Sequence, residues 1–286
     1  MRFAFVGCDR NIGVLESLQA AGWTLLKVFS QLATEVSGSN QQLSALATLQ
    51  GVPLQLNRIQ SADLQSLEDA GCEVLIVASY NHKIPDWRAY LPYAVNFHPS
   101  PLPVGRGPYP LIQAILRGHR SWAVSCHRID AGYDTGAVLD SEAFALDEYD
   151  THETLHLKIQ IANQVLATRV AARFSQLWRD AQIQDEGEYW PMFSMEDQTL
   201  DCSASVAHIR RQLRAFGELG CYTRFQGQKI QVQQASAWPG CHSLLAGSLV
   251  HHAGNTLVLA CADGYLALQD WRYLPDQRLT RNGQAL

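Results

Sequence analysis

Asn96 and His98 stand two residues apart in the run Asn96-Phe97-His98-Pro99-Ser100-Pro101-Leu102-Pro103, which continues into Gly105-Arg106-Gly107 and Pro110. On extended backbone such positions share a face. An amide and an imidazolium side by side can cradle an oxygen on which negative charge develops. A second run, His127-Arg128-Ile129-Asp130-Ala131-Gly132-Tyr133-Asp134-Thr135-Gly136, carries Asp134 in a glycine-flanked loop. A carboxylate returned beside His98 would favour the imidazolium and could hand protons onward. Asp130 is the rival carboxylate. The Asp130–Asp134 spacing is not a calcium loop, because Thr135 stands where glycine is needed and Ser141 where glutamate is needed, so no metal is expected. Ser100 either bonds its own loop or meets a substrate. Arg106, between two glycines, either binds an anionic part of an acceptor or braces the loop.

These residues need a scaffold, and the first hundred residues alternate strand and helix signals. Phe3–Val6 is a short apolar run followed by a turn with Gly7 and Gly13, and Val14–Ala21 has a helical pattern ending at Gly22. Those two glycines do not make G-x-G-x-x-G, so a dinucleotide site is not supported. Further strands are expected at Trp23–Phe29, near Val52, and at Val74–Val77, with helices at Leu43–Gln50 and Leu64–Ala70 between them. Val74-Leu75-Ile76-Val77 is uninterrupted apolar chain, as in a strand buried on both faces. The alternation predicts an α/β, Rossmann-like domain with a mainly parallel sheet. Asn96 and His98 would then sit at the carboxyl end of a strand, where open α/β sheets bind ligands.

Beyond Pro110 the sequence predicts a helix at Leu111–Arg117, a strand at Ala123–His127 and a long helix at His152–Trp178. Residues from about Ile183 to Cys202 are mixed and polar, as expected of a linker. A helix at Ala204–Phe216 and five short strands follow, a spacing that predicts a small β-barrel. The expected division is a catalytic domain over 1–190, a linker over 191–200 and an OB-like β domain over 201–286.

The motif resembles the N10-formyltetrahydrofolate-dependent formyltransferases, whose pattern is Asn-x-His-x-Ser-x-Leu-Pro with an aspartate about 36 residues after the histidine. Here His98 and Asp134 are 36 positions apart. The resemblance spans nearly the whole chain, including the Phe5-Val6-Gly7 opening and the Ala262-Asp263-Gly264 turn near the end. It implies a catalytic trio of Asn96, His98 and Asp134, and N10-formyltetrahydrofolate as formyl donor. By the same resemblance Tyr80-Asn81-His82-Lys83-Ile84 would line the folate pocket; Asp130 is a further candidate there, and Ser100 and Arg106 are the candidate acceptor contacts.

Composition narrows the acceptor. The chain has 286 residues, 22 basic against 27 acidic, a net charge of −5, and four lysines: Lys27, Lys83, Lys158 and Lys229. Family members that act on methionyl-tRNA carry a basic insertion after the second strand, whereas Ser30–Gln42 here has no lysine or arginine and includes Glu35. A nucleic acid needs clustered cations to meet its phosphates, so it is not expected as a partner. A small amine fits better, foremost an amino sugar on a nucleotide whose diphosphate Arg106 would meet. An amino-acid-derived amine, as in siderophore assembly, methionyl-tRNA, and water (a formyltetrahydrofolate hydrolase) are the alternatives. The seven cysteines form no C-x-x-C pair and are expected as buried, reduced thiols. With no membrane-spanning run and no leader-like start, a cytoplasmic enzyme is expected. A homodimer is left open.

Overall fold

The structure, a computed structural model, describes residues 1–32 and 40–274. The chain forms two compact units. The first comprises residues 1–114, 119–148 and 154–192, and the second 115–118, 149–153 and 193 onward.

The first unit is built on β1 (Arg2–Gly7), α1 (Ile12–Ala20), β2 (Thr24–Phe29), α2 (Gln41–Gln50), β3 (Leu54–Gln55), α3 (Ser61–Asp69), β4 (Val74–Ala78), β5 (Tyr93–His98), α4 (Pro110–Leu116), β6 (Ser121–Arg128), β7 (Val138–Ala145) and α5 (His152–Arg179). Its seven-stranded sheet has the order β3-β2-β1-β4-β5-β6-β7. The first five strands run parallel, and β6 and β7 add antiparallel pairings. β1 explains the double cover. Phe3 and Phe5 pack with Val14, Leu15, Leu18, Leu166 and Val170 on one face, whereas Ala4 and Val6 pack with Leu64, Leu67 and Leu75 on the other. Period-two alternation with apolar residues on both faces gives a strand with helices above and below. Helix α2 stops where Gly51 turns left-handed at φ +65°, a conformation glycine adopts without a Cβ clash.

In the second unit β8 (Cys221–Phe225), β9 (Gln228–Pro239), β10 (Leu249–Ala253), β11 (Thr256–Cys261) and β12 (Gly264–Tyr273) form an antiparallel sheet in the order β10-β11-β12-β9-β8. Helix α6 (Val206–Phe216) is capped by Ser205, whose side chain accepts from the His208 N–H, and it buries Val206, Ile209, Ala215 and Phe216. The architecture is the one expected: a Rossmann-like, mainly parallel sheet followed by a β domain. The cysteines are buried except Cys241, which is exposed. Among the described residues no helix is long and apolar enough to cross a membrane.

Strand β7 was not expected from the sequence; its burial alternates with exposed Ser141, Ala143 and Ala145. Residues 183–190, linker-like in composition though placed before the expected boundary at 190, pack in the first unit. Trp190 is 2% exposed and stacks on Trp122, its backbone N–H donates to the Arg106 carbonyl at 2.7 Å, and Tyr189 bridges to Arg106. A buried indole pair outweighs the polar residues around it.

Candidate active site

Strand β5 delivers Asn96 and His98 to its carboxyl end, and β6 pairs with it so that Asn96 faces His127 across the ladder. The loop after β6 carries Asp134 back to the same point. A single carboxylate oxygen sits at the centre: Asp134 Oδ1 lies 3.5 Å from His98 Nδ1, 3.5 Å from His127 Nε2 and 3.3 Å from Asn96 Nδ2, which donates to it. The other oxygen accepts the Gly107 N–H at 2.9 Å. Asp134 holds φ +57°, a left-handed conformation that aspartate tolerates better than most residues.

The carbonyl partners fix the tautomers. His98 Nε2 is 2.8 Å from the Gly105 carbonyl and His127 Nδ1 is 2.8 Å from the Arg128 carbonyl. A carbonyl only accepts, so each of those nitrogens carries the ring proton. In the neutral rings, the lone pairs are then on His98 Nδ1 and His127 Nε2. The latter accepts from Asn96 Nδ2 at 3.1 Å, which sets the orientation of the Asn96 amide.

Burial pushes the His98 imidazole below its usual value, opposed by the Asp134 charge and the Gly105 contact. This revises the expected resting imidazolium: the ring waits neutral, with a basic Nδ1 facing a carboxylate that stabilises it once protonated. Burial alone would raise the Asp134 carboxyl, but the two histidines and the Gly107 N–H together hold it well below the ordinary carboxylate range. Both shifts destabilise the fold in acid. The unfolded chain binds a proton at His98 below about pH 6.5 that the folded chain refuses, and at Asp134 below about pH 4. Urea midpoints should therefore fall between pH 7.5 and 5.5, and fall less in His98→Gln. An equal fall in both proteins would remove His98 as the cause.

These groups line a cavity of about 550 Å³ in the first unit, shared with Arg10, Asn11, Tyr109, His156 and Asn163 among others. Tyr80, Asn81, His82, Lys83, Ile84 and Asp130 line it too. The Tyr80 hydroxyl is engaged by the Ile59 N–H at 2.9 Å, and Asp130 Oδ1 holds its own loop through the Gly132 N–H and the Thr135 hydroxyl. Two expected acceptor contacts lie elsewhere. Ser100 is fully buried, does not line the cavity, and its carbonyl accepts from Ser125 at 2.7 Å. Arg106 gives its Nε and Nη2 to Gln184 Oε1 at 3.1 and 2.8 Å, and Nη2 also to the Asp185 carbonyl.

Sequence reasoning missed His127 and Gln184. Gln184 Nε2 donates to the Asp134 and Gly136 carbonyls at 2.9 and 2.7 Å, so Arg106 and Gln184 together brace the Asp134 loop. A Cβ at Gly136 would meet the Arg128 carbonyl oxygen at 1.9 Å. Gly136→Ala should therefore displace Asp134 and lower kcat/KM about 10²-fold, the cost of an ångström of misplacement. Unchanged kcat/KM would show the loop to be slack.

The match to known families now decides between chemistries. The profile of the formyl transferase family covers residues 29–170, and that of the formyl transferase C-terminal domain covers residues 193–278. The chain belongs to the formyl transferase family. This formyl transferase is 28% identical over 278 residues to a methionyl-tRNA formyltransferase of Nitrosomonas eutropha, with 93% of this chain and 88% of that one aligned. Its fold resembles an N-formyltransferase of Helicobacter canadensis solved with folinic acid and dTDP-3-aminofucose, at TM-score 0.67, 14% identity, and 94% and 98% coverage. It also resembles HypX of Aquifex aeolicus in complex with tetrahydrofolic acid, at TM-score 0.66 and 17% identity, covering 97% of this chain and 45% of that one. As a member of this family the protein is an N-formyltransferase with N10-formyltetrahydrofolate as its donor. The residues present suit a reduced folate: the cavity is large, and its Tyr80–Ile84 wall mixes rings, backbone and the exposed Lys83.

Proposed function

We propose that this formyl transferase moves the formyl group of N10-formyltetrahydrofolate to the primary amine of a small acceptor, foremost a nucleotide-linked amino sugar. The observation that carries the chemistry is the single Asp134 oxygen ringed by Asn96, His98 and His127 at 3.3 to 3.5 Å. The folate, when bound, supplies an electrophilic formyl carbon on a nitrogen that can leave. Asn96 exchanges its 3.3 Å bond to Asp134 for the carbonyl oxygen that gains charge. His98 Nδ1 takes the proton the attacking amine loses, and Asp134 stabilises the resulting imidazolium. His98 then returns that proton to the leaving nitrogen. His127 holds the Asn96 amide in register, and Gln184 with Arg106 holds the Asp134 loop.

The acceptor class rests on charge. Relatives at 28% identity are named methionyl-tRNA formyltransferases, which keeps tRNA as the second reading. Against it stands Ser30–Gln42, free of lysine and arginine; residues 33–39 of it lie outside the described residues. A tRNA needs several phosphate contacts. Arg106, the expected diphosphate partner, is already engaged by Gln184 and Asp185, so another cation must serve.

A panel of dTDP-3-aminofucose, N5-hydroxyornithine, lysine and methionyl-tRNA, each with N10-formyltetrahydrofolate, tests this reading. Formylation of the amino sugar is expected, and preference for methionyl-tRNA would overturn it. Raising salt from about 50 to 200 mM should change acceptor affinity by less than about tenfold, against ~10³–10⁵ for six to ten phosphate contacts. A steep loss would point to nucleic acid.

A further inference from the structure

On the cavity wall made by α5 and the loop after β1, Asn163 is 2% exposed and its Oδ1 has no hydrogen-bond partner. Its orientation follows from its neighbours. Asn11 Nδ2 donates to the Ala78 carbonyl at 3.3 Å, which can only accept, so Asn11 presents its own Oδ1 to Asn163. Asn163 Nδ2 donates to that oxygen at 2.9 Å. The atom left over is therefore a carbonyl oxygen. A buried acceptor on a cavity wall calls for an N–H or O–H donor, since leaving it unmet costs its full desolvation.

The two walls of the cavity differ. Tyr80–Ile84 with Ile129–Asp130 is the wall suited to folate, whereas Arg10, Asn11, His156, Gln160 and Asn163 come from the β1 loop and α5. The second wall has positive charge in Arg10 and hydroxyl and imidazole groups in Tyr109 and His156, whose OH and Nε2 are 3.1 Å apart. Donor and acceptor must both reach Asn96 and His98, so the wall not used by folate is the one open to the amine's carrier.

We propose that Asn163 Oδ1 accepts a hydrogen bond from a hydroxyl or N–H of the amine acceptor and so selects it, with Arg10 on the same wall favouring an anionic carrier. Asn163 is then a specificity-determining residue. This rests on the formyl-transfer reading above and adds the chemistry of the acceptor: a polyhydroxylated, anionic amine such as a sugar nucleotide.

The test uses Asn163→Leu, which keeps the branched shape without the carbonyl, and Asn163→Ala should the first not fold. Folinic acid titration reports folding and the folate wall, and steady-state rates with dTDP-3-aminofucose report the acceptor wall. KM for the amino sugar should rise about 10- to 100-fold, with kcat and folinic acid affinity within about twofold of wild type. An unchanged amino-sugar KM would overturn the proposal. So would a loss of folinic acid affinity matching the KM rise in a folded variant, which would give that oxygen to folate. Should wild type formylate another panel member instead, the amino-sugar reading fails alone, and the same KM comparison with that amine decides the role of Asn163. No turnover with any panel member overturns both.

Discussion

Asp134→Asn should lower kcat/KM for formyl transfer by about 10²–10⁴, the range set by general acid–base groups. Asparagine keeps the shape and one acceptor oxygen for the Gly107 N–H, and it tolerates the left-handed backbone at this position. The charge beside His98 Nδ1 is lost. The imidazolium formed when His98 takes the amine's proton then stands buried without its counter-ion, and proton transfer slows. Folinic acid should bind the variant as tightly as wild type, because none of the folate wall has changed. The measurement is the initial rate of tetrahydrofolate formation with saturating amine, read beside the folinic acid titration. A variant that keeps a tenth or more of wild-type kcat/KM would show that Asp134 only positions its loop.

Asn96→Ala should cost about 10²–10³ in kcat, the usual effect of removing one donor to a developing oxyanion. The loss should appear in kcat rather than in the KM of either substrate, because the bond strengthens only as charge develops. Combining it with Asp134→Asn should cost much less than the product of the two effects. Asn96 donates to Asp134 in the resting site, and residues that act as one unit are not additive. A fully multiplicative double variant would mean the two act independently, contrary to their shared oxygen.

That Asn96, His98 and Asp134 come together was legible because the information is local. Asn96 and His98 share a strand face by period two, and glycines at 132 and 136 mark the loop that carries Asp134. The parallel sheet was legible for a similar reason: Val74–Ala78 is apolar throughout and buried throughout. His127 was not, because its role comes from a cross-strand register that pairs it with Asn96. No periodicity in sequence states which residue of β6 lies opposite which residue of β5. Gln184 was hidden in a polar run that has the composition of a linker, and it is held by Arg106 and by the Asp134 and Gly136 carbonyls. Arg106 and Ser100 were misplaced for a third reason. Glycines on either side of Arg106 permit a tight loop, and the tight loop turns the guanidinium back to Gln184. Beta strand β7 escaped notice because an edge strand of alternating polar residues lacks the apolar run that announced β4.

The neutral resting state of His98 also constrains the pH profile. Its pKa lies below the usual histidine value, so activity limited by His98 should persist into mildly acidic solution and fall only below about pH 6.5. An acid limb above that value would belong to the amine, and it should move when the acceptor amine is changed for one of different basicity.

The most direct test of the central claim is the stoichiometry of tetrahydrofolate release from N10-formyltetrahydrofolate with and without dTDP-3-aminofucose, for wild type and Asp134→Asn. Wild type should form one formylated amine per tetrahydrofolate released. Without amine it should release little, and release by the variant should be about 10²–10⁴-fold slower under either condition. Equal release in water alone would make the site a hydrolase. Undiminished release by a folded Asp134→Asn would remove the carboxylate from the chemistry altogether.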